Sequence, residues 1–502
     1  MDKTITWIQK ILRICAHMDD YTAEDAQMIF PDIHHEYAQL SVQEQQKIKD
    51  ILLSQLEKSD LLFVLSILIQ NGAADVWMPL ALQVAEALDF DSVIRSMLEV
   101  QVNAVSHTRY LEARAFHVNT VRKWEKEIPI MQTYREVADR NQNRIVIVTE
   151  QLISELHAPT KAVLEMAYLL KHVMGYEVLL VVLPCNAGET YDLWYKSCAM
   201  NADDSYETAP IRRSYKGEEF FGYQVSMEVG NVRDYSMILS YILEWNPLFV
   251  FSMGTINPVA DVLSKYTTVV AQSMSTVLPV SEAQILIDLG ENDALLAQLP
   301  QKFVRFSKVS HYFGEPKMVH TREMYGIKDG QFVCVVVGNR LEQELDEAFI
   351  HLVQSITRQN HEVAFVFIGG LEEKKKLLQE AISQEQLYFV DYCTDLLGIY
   401  RIMDLYVNPD RNGGGYSAAM ALASSLPVIA LDHGDVSLHA GSDFLVSDYN
   451  EMQQKILRYA EDSMYRALQQ KQAEKCAESM TEDNMYQGMQ DNINKIIKEI
   501  MQ

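Results

Sequence analysis

Apolar residues follow two different periodicities along this 502-residue chain. Up to about residue 125 they recur at spacings of three and four, most clearly in segments 43–69 and 76–105. This spacing predicts helices that each bury one face. No strand-like alternation interrupts them, and Asn71-Gly72 marks a break between helices. We therefore expect residues 1–125 to form an all-α region, either a helical bundle or a short helical array.

From Arg144 onward, short runs of β-branched and other apolar residues alternate with helix-length segments. Continuous apolar strands that alternate with helices indicate a parallel sheet covered on both faces. The predicted strands form two groups, 144–149, 177–183, 223–229 and 247–253, then 332–338, 363–370, 387–393, 404–409, 427–431 and 443–446.

The two groups of strands predict two consecutive doubly wound α/β domains, over residues 140–310 and 330–502, with a hinge at 295–330. Such domains bind ligands beyond the carboxyl ends of their strands, here in the crevice between the domains. Residues 184–220 are polar and less regular, and we expect an irregular excursion there. Residues 450–502 are expected to form a charged helical tail.

Composition and charge narrow the classes of function. A net charge of −26 repels nucleic-acid phosphates and anionic membranes, so we expect no nucleic-acid partner. The N terminus lacks a signal peptide, and the longest apolar run, 61–69, is too short to cross a bilayer. The six cysteines form no CxxC pair, which favours free thiols in the cytoplasm. No acidic pair ends an apolar strand, so we expect no metal site.

A run of three glycines opens a helix of small residues directly after the predicted strand 404–409. A helix start attracts anions, because its first N–H groups lack intrahelical partners and its dipole is positive there. The sequence therefore predicts a site for the diphosphate of a nucleotide, and the alternative is a tight turn with close helix–sheet packing. The residues concerned are Gly413, Gly414, Gly415, Tyr416 and Ser417, the last offering its hydroxyl to a phosphate.

Two arginines flank this predicted site. Asn339-Arg340 follows the first strand of the second group, and Arg411-Asn412 immediately precedes the glycines. The guanidinium fork matches the geometry of a phosphate. Arg340 is equally well explained as a surface arginine on a strand–helix loop.

Further polar residues follow the ends of other predicted strands. His157 lies before a Pro-Thr helix start and is a candidate general base, although most isolated histidines have no such role. Gly254, Thr255 and Gln272 are candidates for contacts with an acceptor. Asp435 either caps the next helix or binds a sugar hydroxyl.

The segment from Asp404 to Val436 resembles the donor-binding segment of glycosyltransferase family four, which has the GT-B fold of two Rossmann-like domains. Pro409 and Leu426-Pro427-Val428 match the Pro turn and the x-Pro-Val of that family. The two family glutamates correspond to Asn412 and Met420, Ser425 replaces a glycine, and the lysine that usually follows Gly-Arg is absent. A helical region before a GT-B pair also resembles bacterial enzymes that glycosylate adhesins and other proteins.

These resemblances imply a cytoplasmic GT-B glycosyltransferase that uses a nucleotide sugar, with UDP the expected carrier, and needs no further cofactor. They also imply that residues 1–125 recognise a protein acceptor or a partner subunit. The absent glutamates and lysine favour an alternative, a catalytically silent GT-B subunit that binds a partner enzyme or a substrate protein. A nucleotide-sugar epimerase would require paired carboxylates, for which Glu150 and Glu155 are the candidates.

Overall fold

The computed structural model describes residues 3–17, 29, 32–33, 35–69, 74–105, 109–153, 157–184, 208–225, 232–274, 277–290, 292–309, 311–411 and 413–502. Its contacts divide the chain into two compact units. The first unit comprises residues 1–306 and 494–502, and the second comprises residues 307–493.

The first unit begins with helices, as the periodicity predicts. Each of the two long amphipathic segments forms two helices rather than one. Ser41 starts the second helix with a capping box, in which its side chain and that of Glu44 bond each other's backbone N–H groups. The helices are α1 Lys3–Ala16, α2 Val42–Gln55, α3 Lys58–Leu68, α4 Ala74–Ala87, α5 Ser92–Val105 and α6 Tyr110–Glu127.

An eight-stranded sheet follows in the first unit, in the order β3-β4-β2-β1-β5-β6-β7-β8. All pairs are parallel except β3 with β4. The strands are β1 Asn141–Thr149, β2 Glu177–Val182, β3 Ala209–Tyr215, β4 Glu218–Gln224, β5 Pro247–Met253, β6 Val269–Gln272, β7 Ile285–Asp288 and β8 Lys302–Arg305. Its helices are α7 Ala158–Tyr168, α8 Val232–Trp245, α9 Pro258–Asp261 and α10 Asp293–Leu296.

The second unit contains a six-stranded parallel sheet in the order β11-β10-β9-β12-β13-β14. The strands are β9 Phe332–Val337, β10 Val363–Ile368, β11 Leu387–Val390, β12 Leu405–Val407, β13 Val428–Leu431 and β14 Leu445–Val446. The helices are α11 Leu341–Glu344, α12 Glu347–Gln359, α13 Glu373–Ala381, α14 Leu396–Tyr400, α15 Gly415–Ala423, α16 Gly434–Ala440, α17 Tyr449–Glu461, α18 Ser463–Ser479 and α19 Glu482–Ile500, whose last turns belong to the first unit.

Burial explains why the strongest strands were predictable. Every residue of β5, β9 and β10 is buried, as expected for central strands of a sheet covered on both faces. Within the described ranges, none of the helices combines the length and the hydropathy that a bilayer crossing requires.

The expectation of an irregular excursion over residues 184–220 is wrong for its second half. Residues 209–224 form the β3–β4 hairpin, which turns at Lys216-Gly217, both with positive φ. β3 is an edge strand whose buried and exposed residues alternate, so it carries too few apolar residues to be recognised as a run. Residues 185–207 lie outside the described residues.

Candidate functional site

The two central strands of the second sheet, β9 and β12, define its switch point. From β9 the chain proceeds to β10 and β11 on one side, whereas β12 leads to β13 and β14 on the other. The crevice at the carboxyl ends of such a strand pair is where ligands bind in open α/β sheets. Gly338, Asn339 and Arg340 follow β9, and residues 408–414 follow β12.

The helix predicted after the glycines is α15, which begins at Gly415. Its cap, Gly414, has φ +99°, a left-handed conformation that glycine adopts without strain. A Cβ on Gly414 would also lie only 2.5 Å from Asn408 Oδ1. Gly414 is therefore required both by its backbone and by its neighbour, and it starts a helix whose first N–H groups lack intrahelical partners.

Arg411 is built into the protein beside this helix start. Only 5% of its side chain is exposed. Its Nη1 donates to Glu344 Oε2 at 2.6 Å, and its Nη2 donates to the Val337 carbonyl at 2.7 Å. Nε and Nη2 both donate to Asn408 Oδ1, at 2.9 and 2.8 Å. The guanidinium therefore joins the end of β9 to the loop after β12.

Arg340 has a different environment. Its side chain is 68% exposed, and Nε and Nη2 lie 3.1 and 3.0 Å from Glu344 Oε1. A Cβ built on Gly413 would lie 3.6 Å from Arg340 Nη2, so this guanidinium is next to the glycine run. Glu344 thus contacts two arginines, one buried and one exposed. Asn339 is exposed beside them.

The first turn of α15 is packed on one side. The Tyr416 ring meets Phe313 edge-on at 5.0 Å, and the Tyr400 hydroxyl donates to the Ser417 carbonyl at 3.2 Å. Asp435 lies in the first turn of α16, where burial raises the pKa of its carboxyl. Asn412 lies outside the described residues.

The first sheet has its own switch point, between β1 and β5. Gly254, Thr255 and Gln272 come together there, because Gly254 N–H donates to the Gln272 carbonyl at 2.9 Å and Thr255 Oγ1 lies 3.4 Å from Ser273 Oγ. Glu150 joins them, since its Oε1 would be 2.7 Å from a Cβ on Gly254. Glu155 lies outside the described residues.

His157 lies at the start of α7 rather than in this group. Its Nδ1 is 3.0 Å from Thr160 Oγ1, which also accepts a hydrogen bond from the Ile153 N–H at 3.1 Å. Burial lowers the pKa of His157, so the imidazole is neutral at neutral pH. A neutral imidazole is able to accept a proton, and the role of His157 as a base stays a prediction.

Sequence reasoning missed two residues of these sites. Glu344 follows Arg340 by four positions, a spacing that brings side chains together on a helix and signals the pair. No sequence signal indicated its contact with Arg411, which is 67 residues away. Asn408 was assigned only to the predicted strand 404–409, although it is buried and accepts hydrogen bonds from both Nε and Nη2 of Arg411.

Residues 331–462 match a family model described as Glycosyl transferases group 1. This segment contains every described residue of the second-unit site from Asn339 to Asp435. A search of curated protein sequences finds no match.

Two solved structures resemble the whole chain or most of it. One is a mutant of the O-GlcNAc transferase of Thermobaculum terrenum, with 12% identity and a TM-score of 0.56 over 100% of this chain and 98% of that chain. The other is a glycosyltransferase from Rickettsia africae ESF-5, with 14% identity and a TM-score of 0.50 over 72% of this chain and 99% of that chain.

At these identities the likeness concerns the fold. The predicted fold class is confirmed: two Rossmann-like α/β domains preceded in sequence by a helical region. The resemblance to GT-B glycosyltransferases that the sequence suggested is confirmed as well, and the chain has the GT-B fold with a C-terminal segment that matches the group 1 glycosyl transferases.

Proposed function

We propose that the chain is a glycosyltransferase that moves a sugar from a nucleoside diphosphate sugar, with uridine as the base, to an acceptor. The observation that carries this proposal is the start of α15 at the switch point, with the Arg340 guanidinium beside Gly413. A helix N-terminus and an exposed guanidinium together favour an anionic group such as a diphosphate.

The chemistry of sugar transfer fits this arrangement. As the bond between the sugar and the diphosphate breaks, negative charge develops on the leaving phosphate. The N–H groups of Gly415, Tyr416 and Ser417 and the guanidinium of Arg340 would stabilise that charge, which is usually the largest catalytic contribution. In this proposal no additional cofactor is needed, and Arg411 supports the loop that presents these groups.

The proposed acceptor side belongs to the first unit. The helices of residues 1–125 would recognise a protein acceptor or a partner subunit, as the resemblance to protein-glycosylating enzymes implies. His157, neutral and at a helix start, is one candidate for the base that activates the acceptor.

A thermal-shift panel of UDP, GDP, ADP, CMP and common UDP-sugars tests the donor site. A ligand at a hundredfold excess over its dissociation constant stabilises the folded state by about 2.7 kcal/mol. We expect a shift with UDP and a UDP-sugar that is lost in Arg340→Ala. Arg401→Ala is the matched control, because Arg401 is also exposed in the second unit, on α14's C-terminal side. A shift of equal size in the Arg340 and Arg401 variants would contradict the proposed site.

One observation favours a second candidate, a catalytically silent GT-B subunit. Glu344 pairs with both arginines, and Asn412 and Met420 occupy the positions of the two family glutamates. A subunit that only binds a partner has little reason to retain nucleotide binding. If no nucleotide in the panel stabilises the wild-type protein, this second function replaces the first, and a pull-down with the intact chain becomes the next experiment.

A further inference from the structure

A buried histidine joins the helices at the start of the first unit to its sheet. We call α1–α6 the helical part of this unit and the elements from β1 to β8 its α/β part. His117 lies in the middle of α6, and its side chain is fully buried. Its Nδ1 lies 2.9 Å from Glu99 Oε2 on α5, and its Nε2 lies 2.7 Å from Asp261 Oδ2 at the end of α9. The imidazole therefore connects two helices of the helical part with a helix of the α/β part.

His117 is positively charged in this position. Ionised carboxylates only accept hydrogen bonds, so both ring nitrogens must donate. Burial lowers the pKa of His117, yet the carboxylates of Glu99 and Asp261 outweigh burial and raise this pKa to about 10. Among the described residues, Glu99 Oε1 is shielded from solvent and has no hydrogen-bond partner. Such a cluster of charges is costly to bury, so it is tolerated only while its members stay in contact.

Asp261 extends this contact to the connections between the strands. Its Oδ2 also accepts a hydrogen bond from the Glu282 N–H, and its Oδ1 accepts one from Ser281 Oγ, both at 2.7 Å. Asp261 ends the helix that follows β5, and residues 281–282 lie between β6 and β7. One carboxylate therefore links His117 to the connections that follow two neighbouring strands of the sheet.

Two more residues of α6 contact the same connection. The Tyr110 hydroxyl donates to the Pro279 carbonyl at 2.8 Å, and the Arg114 guanidinium is paired with the Glu282 carboxylate. Positions 110, 114 and 117 are spaced by four and three residues, so these side chains share one face of α6. That face of α6 is therefore the one that docks on the α/β part.

The second half of α6 adds an apolar contact. Trp124, seven residues after His117, is buried, and its ring meets that of Tyr235 on α8 edge-on at 5.2 Å. Its Nε1 donates to Ser96 Oγ on α5 at 2.8 Å. The apolar contact removes surface from water, whereas the hydrogen bonds of His117 are satisfied in only one register of α6.

We propose that α6 braces the helical part against the α/β part through the contacts of His117 with Glu99 and Asp261, so that the two parts open and unfold as one body. The helical part is then a fixed extension of the first sheet rather than a mobile arm. A protein that these helices recognise, as in the proposed function, would be held in a fixed position relative to that sheet. The brace itself does not depend on sugar transfer.

Hydrogen exchange of the intact chain, measured by mass spectrometry in urea below the unfolding transition, tests the brace. The probes are amides of α3 in the helical part and of β5 in the α/β part, because residues 61–68 of α3 and every residue of β5 are buried. In one body, both segments exchange only when the shared contacts break. We therefore expect the opening equilibria of the two segments to differ by less than about tenfold in the wild type.

His117→Gln removes the charge that holds the two carboxylates together. We expect exchange to accelerate by about tenfold or more in α3 and in β5 alike, because loss of one partner leaves buried charges uncompensated. His172→Gln is the matched control. His172 also pairs with a carboxylate, that of Glu218 at 3.0 Å, but it is half exposed and both residues lie in the α/β part. This variant should leave exchange in both segments unchanged.

Tyr110→Phe provides a milder variant that keeps the test decisive if His117→Gln does not fold. It removes only the hydroxyl that donates to Pro279. The loss of one hydrogen bond should accelerate exchange in both segments by about threefold or more.

The inference fails if wild-type α3 opens more than about tenfold as readily as β5, since the helical part would then open by itself. It also fails if either variant accelerates exchange by less than these factors in either segment. An acceleration confined to α3 would mean that His117 stabilises the helical part alone. None of these results changes the proposed donor site, which lies in the second unit and is tested by UDP binding.

Discussion

Replacement of Arg411 by methionine should destabilise the second unit strongly. The Arg411 side chain is 5% exposed and that of Glu344 is 16% exposed, so water could replace few of the hydrogen bonds that the guanidinium makes. Methionine fills most of the space of the arginine stem but donates no hydrogen bond. Glu344 would keep only the exposed Arg340, while Asn408 Oδ1 and the Val337 carbonyl would lose the donors of Arg411.

The expected magnitude follows from this burial. Breaking a buried ion pair by removing one partner costs about 3–5 kcal/mol, because the remaining charge stays desolvated. The bonds to Asn408 and Val337 are part of the same network, so we do not add them separately. We therefore expect the free energy of unfolding of the second unit to fall by about 3–5 kcal/mol.

Urea unfolding with two probes isolates this effect. All five tryptophans precede residue 306 and so belong to the first unit, namely Trp7, Trp77, Trp124, Trp194 and Trp245. Tryptophan fluorescence therefore follows the first unit, whereas far-UV circular dichroism follows both. If the units unfold separately, Arg411→Met should move the unfolding of the second unit to lower urea concentration. This shift should appear in circular dichroism but not in tryptophan fluorescence. If they unfold together, both probes should shift.

Arg401→Met is the matched control for this experiment. Its side chain is 61% exposed and lies 3.8 Å from Glu315, an exposed pair of the kind that contributes about 0–1 kcal/mol. A difference below about 1 kcal/mol between the two variants would refute the reasoning. A double variant with Glu344→Gln should lose less than the sum of the single losses, since both changes disrupt one network.

Two further predictions concern glycine and histidine. Gly369→Ala should destabilise the second unit by about 1–3 kcal/mol or more, because Gly369 has φ +136° and a Cβ there would lie 1.9 Å from the Gly338 carbonyl oxygen. Gly370→Ala is the control: a Cβ on Gly370 would meet open space, so the free energy of unfolding measured in the same urea assay should hardly change. Burial would lower the pKa of His117, but the carboxylates of Glu99 and Asp261 outweigh it and raise this pKa to about 10. The stability that His117 contributes should be complete below about pH 6.5 and decline up to about pH 10, by at most about 1.4 kcal/mol per pH unit. Tryptophan-detected unfolding should show this decline in wild type and not in His117→Gln.

The sequence was most informative where local pattern and fold agree. The glycine run predicted a helix start after a strand, and α15 begins at Gly415 directly after the loop that follows β12. Fully apolar runs predicted β5, β9 and β10, because central parallel strands are buried on both faces. The division of residues 1–502 into three domains stays a prediction.

Short strands and long-range contacts were less accessible. Strands β6, β7 and β8 have four residues each and were not predicted, and β8, with a single buried residue, offers no apolar run. The environment of Arg411 depends on Glu344, and that of Glu150 on Gly254, 104 residues farther along the chain. Such contacts arise when strand ends meet in the folded sheet, and spacing in the sequence does not encode them.

The contacts of Glu344 suggest how one carboxylate and two arginines divide their roles. Its buried bond to Arg411 lies within the fold, so an incoming ligand cannot replace it without unfolding the loop. Its bond to Arg340 is open to solvent and therefore weak, and a phosphate could take its place at little cost. Two guanidiniums and one carboxylate leave a local charge of +1 next to the positive end of the α15 dipole. In the proposed donor site, these groups would give an anion a locally positive environment within a chain whose net charge is −26.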